Sequence, residues 1–275
     1  METRIGCSSW TSPAWSGRFY PEGIKDGDRL EYYARYFDCV EVDSSYYRSP
    51  ASFLVQRWAR VTPAHFRFTL KFPRDLLDPK QPLDPQSIAE FVHTAELLGE
   101  KLGGIVLQFA PWFRPPRSSG GNLEYLDQVL AALPEGPAYA VELRASGWFG
   151  GEVFDHVRAS LRERRMALAW SYLTYVDIPP ELTSDRVYLR FIGDHTTIPE
   201  EQHGVIRADR SRELRLWAER LQKVRDQVQI SFVFFNNHFA GFAPESVNQF
   251  RQILGLPEIP LPTGGPDGVR QTRLE

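Results

Sequence analysis

Short apolar runs alternate along the chain with longer segments of helical periodicity. Eight runs stand out, at 4–9, 39–43, 66–71, 104–108, 138–144, 167–171, 187–190 and 229–237. Runs of this length bounded by turn signals read as buried strands. Between them, apolar residues recur at helical spacing: Leu30, Tyr33, Ala34 and Phe37; Ile88, Phe91, Val92, Ala95, Leu98 and Leu102; Leu123, Leu126, Val129, Leu130 and Leu133. The same spacing returns in Leu214, Trp217, Leu221 and Val224, and in Val247, Phe250, Ile253 and Leu254. Residues 52–61 form a shorter helix stopped by Thr62-Pro63, and Asp84-Pro85 predicts an N-cap with proline at the first helical position.

Strand–helix alternation repeated eight times predicts an α/β fold of the (β/α)8 TIM-barrel type in one domain, residues 1–255. The Pro- and Gly-rich stretch 256–275 is expected to be a flexible tail. In such a barrel the active site lies where the strands finish. Three long loops, 10–25, 110–121 and 193–210, follow the ends of strands one, four and seven, which marks that rim as the functional face.

Counting by twos along each strand puts several polar side chains on one inward-facing side. Strand two brings Glu41 and Asp43, strand three Lys71, strand four Gln108, and strand five Glu142 and Arg144. Strand seven brings Arg190, and strand eight Asn236, followed by Asn237 and His238. Lysine and arginine are seldom buried unpaired, so three cations and three carboxylates inside a strand bundle require either mutual pairing or a ligand. A self-satisfied ionic cap needs no ligand. Convergence from four or more strands favours a site for a small, anionic substrate, with Arg and Lys on its anion and Glu142 as acid or base. Lys71 and Glu41 complete the expected catalytic set, Lys71 as anion holder or as a nucleophile when desolvated. Asp43, Gln108, Arg144, Arg190, Asn236 and Asn237 form the expected binding set. Trp10, Tyr20, Tyr46 and Trp148 lie in rim segments with Trp15, Tyr47, Trp112 and Tyr172, where aromatic rings either stack on a ligand or anchor loops.

Composition narrows the field. The chain has 275 residues, 42% of them hydrophobic, and a formal net charge of −3, so it carries a sizeable core and no global field for nucleic acid. Cys7 and Cys39 are too few for a disulfide framework and are expected as buried thiols. No apolar stretch approaches the roughly 20 residues of a membrane span, and no basic-apolar leader opens the chain. A cytoplasmic location is the expectation. Six histidines stand without metal-ligand spacing, so no metal or other cofactor is expected, although His195 and His238 occupy rim loops. His93 and His156 fall in helices and are expected on the surface.

Ile5-Gly6-Cys7-Ser8-Ser9-Trp10, Trp15-Ser16-Gly17 and Phe19-Tyr20-Pro21 resemble the opening of the YecE-like proteins. So do Tyr32-Tyr33-Ala34, Val40-Glu41-Val42-Asp43-Ser44-Ser45-Tyr46-Tyr47, Leu107-Gln108-Phe109, Val141-Glu142-Leu143-Arg144 with Trp148, Val187-Tyr188-Leu189-Arg190 and Phe235-Asn236-Asn237. That family is known mainly as a domain of unknown function; the resemblance implies a TIM barrel and no settled reaction. It covers nearly the whole chain and singles out the same rim residues. Three positions depart from the family pattern: Asp43 where asparagine is usual, Ala145 in place of a histidine, and Ile192-Gly193-Asp194 in place of a His-Gly pair. These departures count against a mechanism built on rim histidines.

The leading expectation is a metal-independent enzyme of hydrolase or lyase type acting on an anionic or polyhydroxylated small substrate. A glycoside hydrolase using Glu41 and Glu142 is the first alternative. Against it, strands four and seven, where many barrel glycosidases carry their acids, end here in Gln108 and Arg190. A nuclease-like barrel contacting phosphates through Arg114, Arg117, Arg207, Arg210 and Arg212 is the second. A non-catalytic binding module is the third.

Overall fold

A computed structural model describes residues 1–116 and 121–262. The described residues form a mixed α/β fold built on one curled sheet of ten strands, with eight α-helices. The strands are β1 (Glu2–Ser8), β2 (Cys39–Val42), β3 (Arg67–Lys71), β4 (Leu102–Gln108) and β5 (Tyr139–Glu142). They continue with β6 (Ala167–Leu168), β7 (Trp170–Leu173), β8 (Val176–Asp177), β9 (Arg186–Gly193) and β10 (Ile230–Phe235). The helices are α1 (Arg29–Tyr33), α2 (Ser52–Val61), α3 (Pro85–Glu96), α4 (Asn122–Ala132), α5 (Gly151–Glu163), α6 (Ser211–Lys223), α7 (Asn237–Ala240) and α8 (Ala243–Ile253).

Strand order is β6-β5-β4-β3-β2-β1-β10-β9-β7-β8, and every pair is parallel except the β7–β8 hairpin. All eight sequence-predicted strands are present. The sixth is divided at Ala169: Ala167 and Leu168 pair with β5, whereas Trp170–Leu173 pairs with β9. The division is narrow, because the Ala169 amide still donates to the Val141 carbonyl at 2.9 Å. The two-residue β8 was not expected; nothing in its short sequence alternates.

Two apolar layers hold the sheet. One lies between strands and helices, and the predicted stripes of α1, α3, α4, α6 and α8 face it. The other fills the concave side with Cys39, Val106, Ala140, Ala167, Ala169, Tyr188, Phe232 and Phe234. The Phe232 ring on β10 reaches across to β4, where a Cβ on Gly103 would lie 2.6 Å from it. Ring and glycine are therefore complementary in size, as small interiors filled by side chains require. Both cysteines are buried free thiols.

Local signals hold where predicted. Asp84 caps α3, accepting from the amides of Gln86 (3.1 Å) and Ser87 (3.2 Å). Leu102 departs from expectation: Gly99 takes a φ of +57°, the helix ends before it, and Leu102 opens β4. The start of the expected tail is tied down, since Asn248 exchanges hydrogen bonds with the amide (2.8 Å) and carbonyl (2.9 Å) of the buried Ile259. Residues 263–275, and Arg117, lie outside the described residues.

The β9 exit depends on Gly193, where φ is +76° and a Cβ would stand 2.2 Å from the His238 carbonyl oxygen. Gly193→Ala is expected to cost about 3 kcal/mol, combining left-handed strain with overlap against backbone. That corresponds to a fall in Tm of roughly 10 °C by calorimetry. Gly150→Ala, at an extended φ with nothing within 4 Å, is the control and should change Tm little.

Candidate functional site

The concave side changes character at the C-terminal ends of the strands, where polar side chains replace the apolar layer. Arg190 occupies the middle with no exposure to solvent, and Glu41 and Glu142 beside it are equally closed. Its Nη2 donates to Glu41 at 2.8 Å, and its Nη1 to Glu142 at 2.6 Å and to Gln108 at 3.0 Å. Tyr188 donates to the second Glu41 oxygen at 2.7 Å and lies 2.9 Å from the Thr69 hydroxyl. Ser171 donates to the second Glu142 oxygen. Arg144 reaches the same group from above, with Nε to Glu142 at 2.7 Å and Nη2 to Gln108 at 3.0 Å.

Outside this floor sits a second pair. Lys71 donates to Asp43 and lies 3.9 Å from Glu41, with its ammonium 5.6 Å from the centre of the Tyr46 ring. The solvent-facing groups are Asp43, 32% exposed, and Arg144, 13% exposed. Burial pushes the Glu142 carboxyl up, but Arg144, Arg190 and the Ser171 hydroxyl outweigh it and hold the group at about 2. Burial, reinforced by Arg190, lowers Lys71 below the usual lysine range against the pull of Glu41 and Asp43. Asp43 is also lowered: burial raises it, and Lys71 more than compensates.

The structure thus brings Glu41, Asp43, Lys71, Gln108, Glu142, Arg144 and Arg190 together, and it redistributes their expected parts. Glu142 and Glu41 do not meet open space: each has both oxygens occupied, and the Arg190 guanidinium fills the gap between them. With their oxygens spent on Arg190, Arg144, Tyr188 and Ser171, the arrangement speaks against Glu142 as acid or base and against a glycosidic bond lying between the two carboxylates. Arg190 likewise has its charge taken by two carboxylates and is sealed from any ligand.

Asn236 and Asn237 organise backbone. Asn236 caps α7 through the His238 amide (3.0 Å). Asn237 accepts from Trp15 Nε1 (3.1 Å) and the Ala243 amide (3.0 Å) and donates to Ser12 (3.1 Å). Trp10, Tyr20 and Trp148 are buried loop anchors: Tyr20 donates to the Trp10 carbonyl at 2.5 Å, and Trp148 Nε1 to the Phe113 carbonyl at 2.7 Å. Of the expected aromatics, Tyr46 is the one that borders the charged groups. Two of the basic loop residues are also engaged, Arg207 with the Gln202 carbonyl and Arg210 with the Phe239 carbonyl, both at 2.9 Å.

Sequence reasoning missed Thr69, Ser171 and Tyr188, although the same count by twos from Lys71, Ala169 and Arg190 reaches each of them. It placed His195 and His238 in rim loops but missed that they group with His203, for which loops offer no periodic signal. The His195 and His238 rings lie 3.7 Å apart and the His203 and His238 rings 4.5 Å apart, and His238 Nδ1 bonds the Ile198 carbonyl at 2.7 Å. Burial, then His238, pushes both His195 and His203 below the ordinary value of 6.5. Among the described residues no group of three or more His, Cys, Asp or Glu is arranged to hold a metal ion. No helix among them is long and apolar enough to cross a membrane. His93 and His156 are exposed on α3 and α5.

The family model described as "Protein of unknown function DUF72" matches residues 4–267. The chain belongs to the DUF72 family. Among curated relatives, UPF0759 protein YunF of Bacillus subtilis (strain 168) is 21% identical over 284 residues, covering 92% of this chain and 94% of that one. UPF0759 protein YecE of Escherichia coli (strain K12) is 31% identical over 162 residues, covering 58% of this chain and 55% of that one. A crystal structure of a DUF72 family protein from Thermotoga maritima MSB8 superposes with a TM-score of 0.76 at 26% identity, covering 93% of this chain and 100% of that one. One from Enterococcus faecalis V583 gives 0.75 at 22% identity, covering 93% and 96%. The DUF72 family carries no assigned reaction in these names, so chemistry must be sought in the site itself.

The charge pattern fixes a pH dependence. His195 and His203 bind protons less readily folded than unfolded, so their contribution to stability is complete above 6.5 and lost as pH falls below it. Glu142, lowered from 4.5 to about 2, contributes above 4.5 and loses that contribution as pH falls towards about 2. The second loss is on the order of 3 kcal/mol. Urea unfolding at a series of pH values should show both declines, and His203→Gln should weaken the first while leaving the second.

Proposed function

We propose that the curled sheet is a closed (β/α)8 TIM barrel and that its charged mouth is an enzyme site for a small, anion-bearing substrate. Closure is supported by the 167–173 run, whose first half pairs with β5 and whose second half pairs with β9. The observation that carries the functional reading is the layering of charge. The sealed floor holds two carboxylates and one guanidinium, Glu41, Glu142 and Arg190. Above it stand two cations and one carboxylate, Arg144 and Asp43 facing solvent and Lys71 buried beside Asp43. The outward layer is therefore net positive over a negative floor that fixes its side chains in place. Arg144 keeps donors beyond those spent on Glu142 and Gln108, and a guanidinium suits carboxylate or phosphate oxygens.

Proton transfer then belongs to Lys71 and Asp43 and not to Glu142. A buried ammonium with a lowered proton affinity, touching a carboxylate, has the character of an acid–base pair of hydrolase or lyase type. Glu142 and Glu41 act through Arg190, as positioning residues. A self-satisfied ionic cap predicts the same floor and pairs it with the outward layer through Arg144–Glu142 and Lys71–Glu41; the donors that Arg144 keeps free favour a ligand. Contact with nucleic acid is weakly supported, since Arg207 and Arg210 are spent on backbone carbonyls. A cytoplasmic, single-domain enzyme is the setting that goes with this proposal.

A thermal-shift titration with inorganic phosphate tests the anion site. Wild type is expected to gain stability by mass action, about 2.7 kcal/mol at a hundredfold excess over Kd. Arg144→Ala and Lys71→Met should keep the fold and lose that gain. Equal responses in wild type and both variants, or no response in wild type, would defeat the proposal. Glu142→Gln is expected to behave differently, losing roughly 3–5 kcal/mol of stability before any ligand is added, because it leaves buried cations without their partner.

A further inference from the structure

A groove of about 410 Å³ opens beside the mouth, between the β7–β8 hairpin and α6. Tyr172, Tyr175, Leu216, Trp217, Glu213 and Arg220 line it, together with Ser171. Its volume falls in the range of small-molecule sites. Two of the large apolar side chains left open on the described surface, Tyr175 at 54% and Leu216 at 46% exposure, both face into it. Trp217 forms part of its wall, with the Arg220 guanidinium 4.4 Å from the ring centre on one face. At the other side Tyr172 lies 3.5 Å from Glu213 and 3.3 Å from Arg210, which fixes the tyrosine ring.

The groove and the mouth share two residues. Ser171 lines the groove and donates its hydroxyl to Glu142 on the floor. Tyr175 lines the groove from the hairpin tip, on the side where the charges of Arg144, Glu142 and Arg190 bear on its hydroxyl. Ser171 and Tyr175 therefore mark the side of the groove that lies towards the charged mouth. Fixed aromatic walls with one exposed aliphatic side chain suit a flat unsaturated ring, while the polar groups Glu213 and Arg220 suit substituents on its edge.

We propose that the groove is the second half of the binding site and takes a planar ring joined to the anion held by Arg144 and Lys71. The substrate class is then an aryl or heteroaryl phosphate or carboxylate, not a bare anion or a simple sugar. This inference rests on the anion site proposed above and adds the ring subsite to it.

Isothermal titration of the intact protein with inorganic phosphate, phenyl phosphate and phenol at one pH and ionic strength tests it. Phenyl phosphate is expected to bind at least about tenfold more tightly than phosphate, the equivalent of one buried contact of about 1.4 kcal/mol. Leu216→Asp, on the exposed face of α6, should abolish that advantage and leave phosphate affinity within about twofold. Arg144→Ala should weaken both phosphates. Phosphate binding with no gain from the phenyl ring overturns the ring subsite and leaves the anion site standing. Absence of binding by either phosphate overturns both. Phenol and phenyl phosphate binding equally, and equally in Arg144→Ala, would make the groove a separate site and defeat the linkage.

Discussion

Everything at the mouth is arranged around one guanidinium with no solvent contact. Arg190 cannot lose its proton, and an isolated charge in that position would be prohibitively costly. The two carboxylates and the Gln108 carbonyl that surround it meet that demand from three other strands. Tyr188 and Ser171 then satisfy the carboxylate oxygens left over. Such a cluster need not be more stable than a well-packed apolar plug of equal volume, so its presence speaks for organisation more than for stability. It fixes the rotamers of residues from β2, β4, β5 and β9 relative to one another at the C-terminal ends of the strands.

The loops serve the same end by different means. Trp15, Trp148 and Tyr20 spend their polar handles on neighbouring loops or their own, and their rings pack against the helix layer. The segment after β9 is clasped to α7 by backbone hydrogen bonds, Gly204 to Gly241 at 2.9 Å and Arg207 to Ala240 at 2.7 Å. His195 lies in the same segment after β9, with a proton affinity pushed below the ordinary histidine value by burial and by His238. Rigid floor, anchored loops and a titratable edge are three separate solutions to the problem of holding polar groups open to water.

The strand pattern was legible because strands buried on both faces are short and continuous in apolar content, and their polar terminations interrupt that content abruptly. Period-two counting then assembled the charged layer correctly, down to Gln108 and Arg144. It could not assign partners, because pairing is decided by side-chain reach across the concave side of the sheet, which a one-dimensional pattern does not contain. Glu142 and Asp43 look alike in sequence, each an acid at a strand end. One is closed beneath two arginines, and the other stands at the opening beside Lys71. The aromatic residues misled for a related reason: Trp10, Tyr20 and Trp148 share the rim with Tyr46 and Tyr175, and only packing separates anchors from open faces. The β8 turn and the histidine cluster had no periodicity to betray them.

A neutral set of six charged groups can be satisfied internally in many ways, and most would interleave the signs evenly. Here the signs are stratified. The negative excess lies beneath Lys71 and Arg144, where Glu142 is shared between Arg190 and Arg144 and Glu41 lies 3.9 Å from Lys71. Asp43 alone offsets them at the surface, and it is the most exposed member of the cluster. The anion proposed for this site would meet Lys71 and Arg144, with the groove beside them. Under that proposal the polarity of the layers serves to hold an anion and to orient what is attached to it.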